Sequence, residues 1–493
     1  MRGISKTSKV VIANSIGRDS HGFYIIHSPS RWSSGVREEE RHFTYYPWEL
    51  AYLSSLLKRD TDHEVKFIDG NLRKCSPLVY SELLSQEDPD FLIMEPSTRT
   101  IEDDLRVGLE VKKNCGTTLI FCGPHASIFP DWLLEKGVDY VVKGEYEMAL
   151  LNFFQGREPS SIPGLHPNPP GELVDIQILP WPEDEDVKRI EYAFPGEPSS
   201  EYREIQAYAS RGCLRSCNFC VSRHIYYRKP YWRPRKVEDV VREILYLKEK
   251  YPSMEGIFFD EECHNGRRDF ILSLCSLICQ ERLNSLKFEA MCDVGLLDIE
   301  MMERMREAGY YMLRVGIESA SEKIQEKINK RLKIKEVENK LRIAKSLGFL
   351  TYGTFVFGAP GSDIREEEKT LQFIRYAVRE GILDKLQVSI LTPFPGTPFY
   401  EWVKKEGFLL PEAWWKFDGE NFAVVSYPHY SASQIRKIKD KAVAVRDREV
   451  FWREVKRGAL LTWIKKVVDK HGWKRGMRKG IRRLKKEILR IFL

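Results

Sequence analysis

The 493-residue chain has no apolar run approaching the ~18 residues that a membrane span needs, and Met1 to Gly17 lacks the apolar core of a signal peptide. A cytoplasmic protein is expected. Cysteine is sparse at ten residues, which excludes a disulfide framework at this length; three of the ten crowd into eight positions, where metal ligation is the better reading. There is no internal repeat. The low hydrophobicity of a disordered chain is also missing, since 42% hydrophobic and 30% charged residues describe a folded protein. At ~150 residues per domain the length predicts two to four domains. The formal charge of +6 hides an asymmetry. From Phe451 onward there are fifteen Lys and Arg against three Asp and Glu, a local balance of +12, while the remainder carries 63 basic and 69 acidic residues and is mildly acidic at −6.

What is present first is an alternation of strand and helix signals. Short runs rich in β-branched and aromatic residues, Lys9 to Ala13, Glu64 to Ile68, Phe91 to Met94, Thr118 to Cys122 and Asp139 to Val142, are separated by segments with apolar residues at helical spacing. This predicts a doubly wound, Rossmann-like α/β domain over residues 1–156, with ligands beyond the carboxyl ends of its strands. Those ends carry Asp69-Gly70-Asn71, Glu95-Pro96-Ser97, Gly123-Pro124-His125-Ala126 and Gly144-Glu145. A proline-rich stretch, 157–200, reads as a linker. A second series over 201–400 holds six strand signals (from Glu204, Gly256, Lys287, Tyr311, Thr351 and Leu386) with helices between them, too few for a closed eight-stranded barrel and right for a partial (β/α)6 one. Residues 401–493 read as mainly helical and end in a basic tail.

Directly after the first strand of the second series lies Arg211-Gly212-Cys213-Leu214-Arg215-Ser216-Cys217-Asn218-Phe219-Cys220, which spaces three thiols as C-x3-C-x2-C. Three cysteines on one loop can bind three irons of a [4Fe–4S] cubane and leave the fourth open to a chelating substrate. A structural zinc site is the alternative, because His224 could complete a Cys3His set with Cys213, Cys217 and Cys220. Spacing leaves both open; position at the catalytic rim of a barrel favours the cluster. Cys275 and Cys279, one helical turn apart, read as packing, and no second compact cysteine group suggests an auxiliary cluster.

From about Gln206 to Tyr400 the chain resembles the radical S-adenosylmethionine (SAM) enzymes. The resemblance implies that SAM chelates the open iron and is cleaved to methionine and a 5′-deoxyadenosyl radical. Further segments fit the family in order. Phe258-Phe259-Asp260-Glu261 resembles the acidic segment facing the SAM amino group, and Gly316-Ile317-Glu318-Ser319 the segment whose Glu accepts from the ribose. Gly358-Ala359-Pro360-Gly361 resembles the glycine turn beside the adenosyl group, and the stretch from Leu391 through Thr392 to Thr397 the strand end beside the adenine. The resemblance thus implies SAM contacts from Asp260, Glu261, Glu318, Gly358 and Thr392. The amino-terminal domain, with Tyr46 to Leu53, Asp69-Gly70-Asn71 and Gly123 to Ala126, resembles the cobalamin-binding domain fused to many radical SAM methylases and cyclases. That implies cobalamin contacts from Asp69, Asn71, Gly123, His125 and Gly144, with His125 at an exposed rim. The pattern D-x-H-x-x-G that supplies an axial histidine is missing, so cobalt would lack that ligand; a domain that keeps the fold without the cofactor is the alternative.

In the tail, Met477, Ile481, Leu484, Ile488 and Ile491 form an apolar stripe among seven Lys and Arg, preceded by Trp463 and Trp473. This basic amphipathic helix suits an anionic membrane surface or the protein's own core. Nucleic acid is not an expected partner, because phosphate binding needs no Ile/Leu face. The expected function is cobalamin-dependent radical SAM C-methylation of a small hydrophobic, lipid-like substrate, with an external reductant such as flavodoxin or ferredoxin. An oxidative cyclase or C–C coupling enzyme without methyl transfer is the same-fold alternative, as in the anaerobic magnesium-protoporphyrin monomethyl ester cyclases, which this architecture also resembles. A zinc-stabilised binding protein is the alternative of another class.

Overall fold

A computed structural model describes residues 7–28, 32–37, 42–229 and 231–456. The basic tail from Ala459 lies outside the described residues.

The first series forms as its periodicity predicts. In chain order it holds β1 (Lys9–Ala13), β2 (Gly17–Arg18), β3 (Tyr24–Ser28), β4 (Trp32–Val36), α1 (Trp48–Asp60), β5 (Glu64–Ile68) and α2 (Pro77–Gln86). It continues with β6 (Phe91–Met94), α3 (Ile101–Cys115), β7 (Thr118–Phe121), α4 (Gly123–Ile128), α5 (Pro130–Glu135), β8 (Tyr140–Val141) and α6 (Glu147–Phe154). Strands β6 and β7 are buried along their whole length, as parallel strands covered on both faces must be. Val10, Ile12, Phe91 and Ile93 pack with α1 and α6, and Val11, Ala13, Leu92 and Met94 pack with α2 and α3. The sheet order is β5-β1-β6-β7-β8, all parallel, so successive crossovers leave β1 in opposite directions and open a crevice beyond the ends of β1 and β6. The short antiparallel sheet β2-β3-β4 was not predicted; its turn is set by Asp19, whose carboxylate accepts from the N–H groups of His21 and Phe23.

Residues 157–200 contain only two 3-10 turns, Pro159–Ser161 and Arg189–Tyr192, yet Ile162, Leu165, Val174, Val187, Ile190 and Tyr192 are buried. Arg189, 1% exposed, donates to Glu243 at 2.5 Å and to the Gln206 carbonyl at 2.7 Å. The segment is a packed strap.

The second series opens with β9 (Glu204–Ala207), the hairpin β10 (Ser210–Cys213) and β11 (Tyr231–Pro234), and α7 (Val237–Lys250). It proceeds through β12 (Gly256–Phe259), α8 (Arg268–Gln280), β13 (Lys287–Cys292), α9 (Ile299–Glu307), β14 (Tyr310–Glu318), α10 (Glu322–Lys327) and α11 (Ile334–Ser346). Then come β15 (Leu350–Phe357), α12 (Ile364–Arg379), β16 (Lys385–Ile390), α13 (Pro398–Lys405) and α14 (Ala432–Lys456). The six parallel strands lie in chain order, β9-β12-β13-β14-β15-β16, and no pairing joins β16 to β9 among the described residues. This is the expected partial barrel, open at both edges. Helix α14 buries Ile435, Ile438, Ala442 and Val445 against α12 and β16. No helix among the described residues is long and apolar enough to cross a membrane.

Candidate active site

The cysteine loop leaves β10, which ends at Cys213, and runs into a π-helical turn, Ser222–Tyr226. Its outer side is fastened by the turn between α10 and α11. The Asn218 N–H donates to the Ile328 carbonyl (3.1 Å), the Asn218 amide to the Lys327 carbonyl (2.8 Å), and Asn329 to the Ser216 carbonyl (2.9 Å). Arg215 donates to the Lys330 carbonyl (2.8 Å) and to Asp293 (2.9 Å). These bonds hold the loop at Arg215, Ser216 and Asn218, and the Arg215 N–H also donates to Cys213 Sγ at 3.4 Å. Cys217 is buried and Cys213 and Cys220 partly so. Burial pushes the Cys217 thiol up to about 11 and the Cys220 thiol to about 12, whereas a hydrogen bond from Cys263 draws Cys213 down. Ligation as thiolates would therefore release protons. Among the described residues no three His, Cys, Asp or Glu side chains converge closely enough to hold a single metal ion. The Cys3His arrangement is not assembled, and His224 instead donates Nε2–H to the Cys217 carbonyl at 3.0 Å.

Beside Cys217 lies a pair that the sequence only half disclosed. Glu318, at the end of β14, accepts from the Lys330 ammonium at 2.6 Å, and both act electrostatically on the Cys217 thiol. Burial opposes the lysine's charge, but the carboxylate outweighs it and raises the lysine pKa. A Cβ on Gly316 would sit 2.5 Å from both charged atoms, so glycine is what lets the pair cross the strand end. Arg223 acts on Cys220 and Cys213, and its Nε and Nη1 have no protein acceptor.

The other strand-end residues divide. Asp260 accepts from Gln206 at 3.0 Å, and Gln206 in turn accepts from the Tyr46 N–H at 3.1 Å. Glu261 is fully buried and engaged by the Ala209 N–H (2.9 Å), Ser210 (3.2 Å) and His264 (2.7 Å), which itself reaches the Tyr310 hydroxyl. Its neighbour Glu262, not singled out from sequence, accepts from the Gly212 N–H (3.0 Å) and the Tyr227 hydroxyl (3.2 Å) on the cysteine hairpin. Gly358 has φ +85°, and a Cβ there would lie 2.8 Å from Ile435 of α14, so the close approach seen is to that helix. Thr392 is buried, with its hydroxyl 3.4 Å from the Ile390 carbonyl.

At the carboxyl rim of the amino-terminal sheet, Asp69 accepts from the N–H groups of Asn71 and Leu72 and from the Tyr192 hydroxyl (2.7 Å), and burial raises its pKa. Asn71 donates to the Ser15 carbonyl (2.8 Å), leaving its Oδ1 buried and unpartnered. His125 is not at an exposed rim: it is 2% exposed, with Nδ1 3.1 Å from Thr98 Oγ1 and its ring enclosed by Phe129, Trp132 and Trp414. Burial drags its pKa down to about 3, so it is neutral at physiological pH. Gly123 opens α4, and Gly144 faces the backbone of Ile225 and Tyr226 after the cysteine loop.

This rim is fastened to the hairpin that carries the cysteines. Glu145 accepts from Arg233 of β11 through both oxygens, one contact at 3.0 Å, and lies 3.5 Å from Arg211 of β10, which also pairs with Glu147 at 2.6 Å. One carboxylate therefore grips both strands. Glu95 accepts from the hydroxyls of Tyr146 (2.7 Å) and Tyr226; burial, reinforced by the Glu49 charge, pushes its pKa well up. Trp48 of α1 stacks on Tyr208 with ring centroids 3.6 Å apart.

Residues 208–406 match a family model described as the radical SAM superfamily. Over 413 residues, 80% of this chain and 86% of the relative, the sequence is 28% identical to an uncharacterized methyltransferase of Pyrococcus horikoshii. It is 25% identical over 382 residues to the anaerobic magnesium-protoporphyrin IX monomethyl ester cyclase of Cereibacter sphaeroides, covering 72% of this chain and 60% of the cyclase. Among solved structures, the cobalamin-dependent SAM radical enzyme OxsB, with aqua-cobalamin and SAM bound, superposes with a TM-score of 0.68 at 16% identity, over 98% of this chain and 71% of that one.

Proposed function

We propose that this radical SAM enzyme methylates carbon, using a cobalamin held by its amino-terminal domain. Its radical SAM domain makes a [4Fe–4S] cluster and SAM its cofactors. In this reading Cys213, Cys217 and Cys220 ligate the cluster, and their donor set fits: three thiols on one loop at C-x3-C-x2-C spacing. When bound, the cluster supplies the electron that cleaves SAM and the corrinoid carries the methyl group. The chain's own residues bind and orient. Glu318, paired with Lys330, accepts from the ribose hydroxyls, the unpaired Arg223 nitrogens offer a site for a carboxylate, and Asp260 lies toward the ammonium.

The observation that carries the reading is the Glu145 grip on Arg211 and Arg233, which holds the crevice-bearing rim of a 2-1-3-4-5 sheet against the cysteine hairpin. The rim fits a corrinoid in one further respect: Asn71 Oδ1 is a buried polar atom without a partner, suited to the amide groups around a corrin. The methyltransferase relative supports methyl transfer. The basic amphipathic stripe of the tail supports a hydrophobic, lipid-like substrate met at an anionic membrane surface.

The test is anaerobic reconstitution with iron, sulfide and hydroxocobalamin, followed by turnover of methyl-deuterated SAM with a lipid extract. Expected are about one corrinoid per chain after gel filtration, a Co(II) paramagnetic resonance signal without imidazole nitrogen coupling, and label on a carbon of a product. A protein that forms 5′-deoxyadenosine yet retains no corrinoid and transfers no label would overturn methylation in favour of oxidative cyclisation, the activity named for the cyclase relative.

A further inference from the structure

A cavity of about 830 Å³ lies between the packed strap and the hairpin β10-β11, within the ~300–1,000 Å³ of ordinary ligand sites. None of the three loop thiols lines it, nor do Glu318 and Asp260. The strap contributes Glu172 and Asp175 to its lining, the hairpin side Arg228, Lys229 and Arg233, and the residue before α8 is Arg267. Two of these four cations are already engaged, Arg233 by Glu145 and the Val174 carbonyl and Arg267 by Asp269. The other two are exposed, and no ion pair engages them among the described residues: Arg228 donates to the Gly171 carbonyl, and Lys229 Nζ lies 5.2 Å from the centre of the Tyr231 ring. Glu172 and Asp175 are exposed too, and no cation pairs with either among the described residues. Single unpaired charges are ordinary on a surface; here both signs line one concavity without joining. Each wall is pinned by other contacts. Gln177 donates to the Pro234 carbonyl at 2.6 Å and accepts from the Lys236 N–H at 3.1 Å, and Arg228 and Arg233 reach the strap through its Gly171 and Val174 carbonyls.

We propose that this cavity binds a zwitterion of the phosphoethanolamine type, its phosphate taken by Arg228 and Lys229 and its ammonium by Glu172 and Asp175. A guanidinium beside an ammonium suits the spread charge of a phosphate, and charge-assisted hydrogen bonds are the strong ones. Two carboxylates serve an ammonium in the same way. A simple anion is repelled by Glu172 and Asp175, and a simple cation by Arg228 and Lys229, so the lining selects a molecule that carries both charges. Such a group occurs free or as a lipid head, and the chemistry recognised is the same. Binding here breaks no bond and depends on neither the cluster nor the corrinoid.

The test is isothermal titration calorimetry of the full-length, reconstituted protein with O-phosphoethanolamine, and with inorganic phosphate and ethanolamine as its two halves. The whole zwitterion should bind at least ~10-fold more tightly than either half. Arg228→Gln/Lys229→Gln should weaken O-phosphoethanolamine by ~10-fold or more and relieve the repulsion on ethanolamine. Glu172→Gln/Asp175→Asn should weaken the zwitterion as well, but tighten inorganic phosphate. This crossed pattern separates lost charge from lost fold, since a misfolded protein would lose all three ligands together. Dihexanoylphosphatidylethanolamine, kept below its micelle concentration, distinguishes the sources: tighter binding than O-phosphoethanolamine assigns a lipid head, and weaker binding a free molecule. No heat of binding from O-phosphoethanolamine on the parent would overturn the proposal. Equal affinity for it in the parent and both variants, or parent affinity for inorganic phosphate as high as for the zwitterion, would do the same.

Discussion

Buried acids at the two parallel sheets are held in two ways, and each rim has both, since Glu145 and Glu147 are ion-paired at the first and Glu261 is hydrogen-bonded at the second. The contrast lies in the acids nearest each candidate site. At the carboxyl rim of the amino-terminal sheet, Asp69 and Glu95 are held by tyrosine hydroxyls and backbone N–H groups, and nearby Asp104 by Ser15 and the Ile16 N–H; burial raises all three. At the rim of the six-stranded sheet, Glu318 is paired with Lys330, and Arg215 holds the Asp293 carboxyl below its usual range although burial works against it. Hydrogen-bonded acids whose pKa values burial raises cost less to enclose than bare charges would. Ion pairs such as Glu318–Lys330 and Asp293–Arg215 set up fixed fields. Topology follows the same division: the switched strand order of the first sheet opens a crevice, and the one-way order of the second curls toward a lumen.

Removing a thiol breaks the comparison most completely. Cys217→Ala should lose essentially all 5′-deoxyadenosine formation while the amino-terminal sheet is untouched, measured by chromatography after anaerobic incubation with SAM; normal production would remove the assignment. Next is the joint between the sheets. Glu145→Gln leaves Arg233 and Arg211 without their shared partner, and breaking a buried pair from one side costs ~3–5 kcal/mol. Denaturant unfolding should register that loss, and cluster content should fall with it; an unchanged midpoint would mean that the domains are joined elsewhere. Glu318→Ala tests the ionic rim. Loss of charge-assisted hydrogen bonds is worth ~1.5–3 kcal/mol, so SAM should bind roughly 10- to 100-fold more weakly by equilibrium dialysis, with Lys330→Met less affected. The smallest effect belongs to the uncharged acids. Burial, opposed by its hydrogen bonds, leaves the Asp104 carboxyl at about 7, against an ordinary 3.8, so the folded state keeps a proton that the unfolded chain has lost. Stability from this group is full below pH 4 and falls as pH climbs toward 7. Asp104→Asn should erase a slope of at most ~1.4 kcal/mol per pH unit, visible as a narrower gap in unfolding midpoint between pH 6 and 7.

Most of the architecture was legible because parallel strands and amphipathic helices announce themselves by period: β1, β5, β6 and the six strands of the second sheet begin within a residue of their apolar runs. The antiparallel sheet β2-β3-β4 was invisible, since Gly17-Arg18 and Trp32-Ser33-Ser34-Gly35-Val36 carry little alternation and the turn between β2 and β3 is set by Asp19. At the site, the cysteine spacing and Glu318 could be read because their chemistry is local. Glu145 was visible as a strand-end residue but its role was not, because its partners Arg211 and Arg233 lie 66 and 88 residues away, and Lys330 and Arg223 belong to no motif of their own. A signal existed for one of them: Lys330 sits in a lysine-rich stretch just after Gly316-Ile317-Glu318, and one cation there had to answer the buried carboxylate. His125 was misjudged because a strand-end position says nothing of Trp414, nearly three hundred residues on, which helps to bury it.

The guanidinium of Arg189 has a consequence for how the protein comes into being. It leaves the ribosome after the amino-terminal sheet is complete, but the carboxylate it pairs with, on Glu243, follows 54 residues later. At ~5–20 residues per second that is an interval of roughly 3–10 s in which the strap cannot settle, since seating it early would bury a lone cation beneath Tyr46 and Trp48. The first domain can thus mature during translation with its barrel-facing side still open, which is the interval in which a large ligand could enter without forcing two finished domains apart.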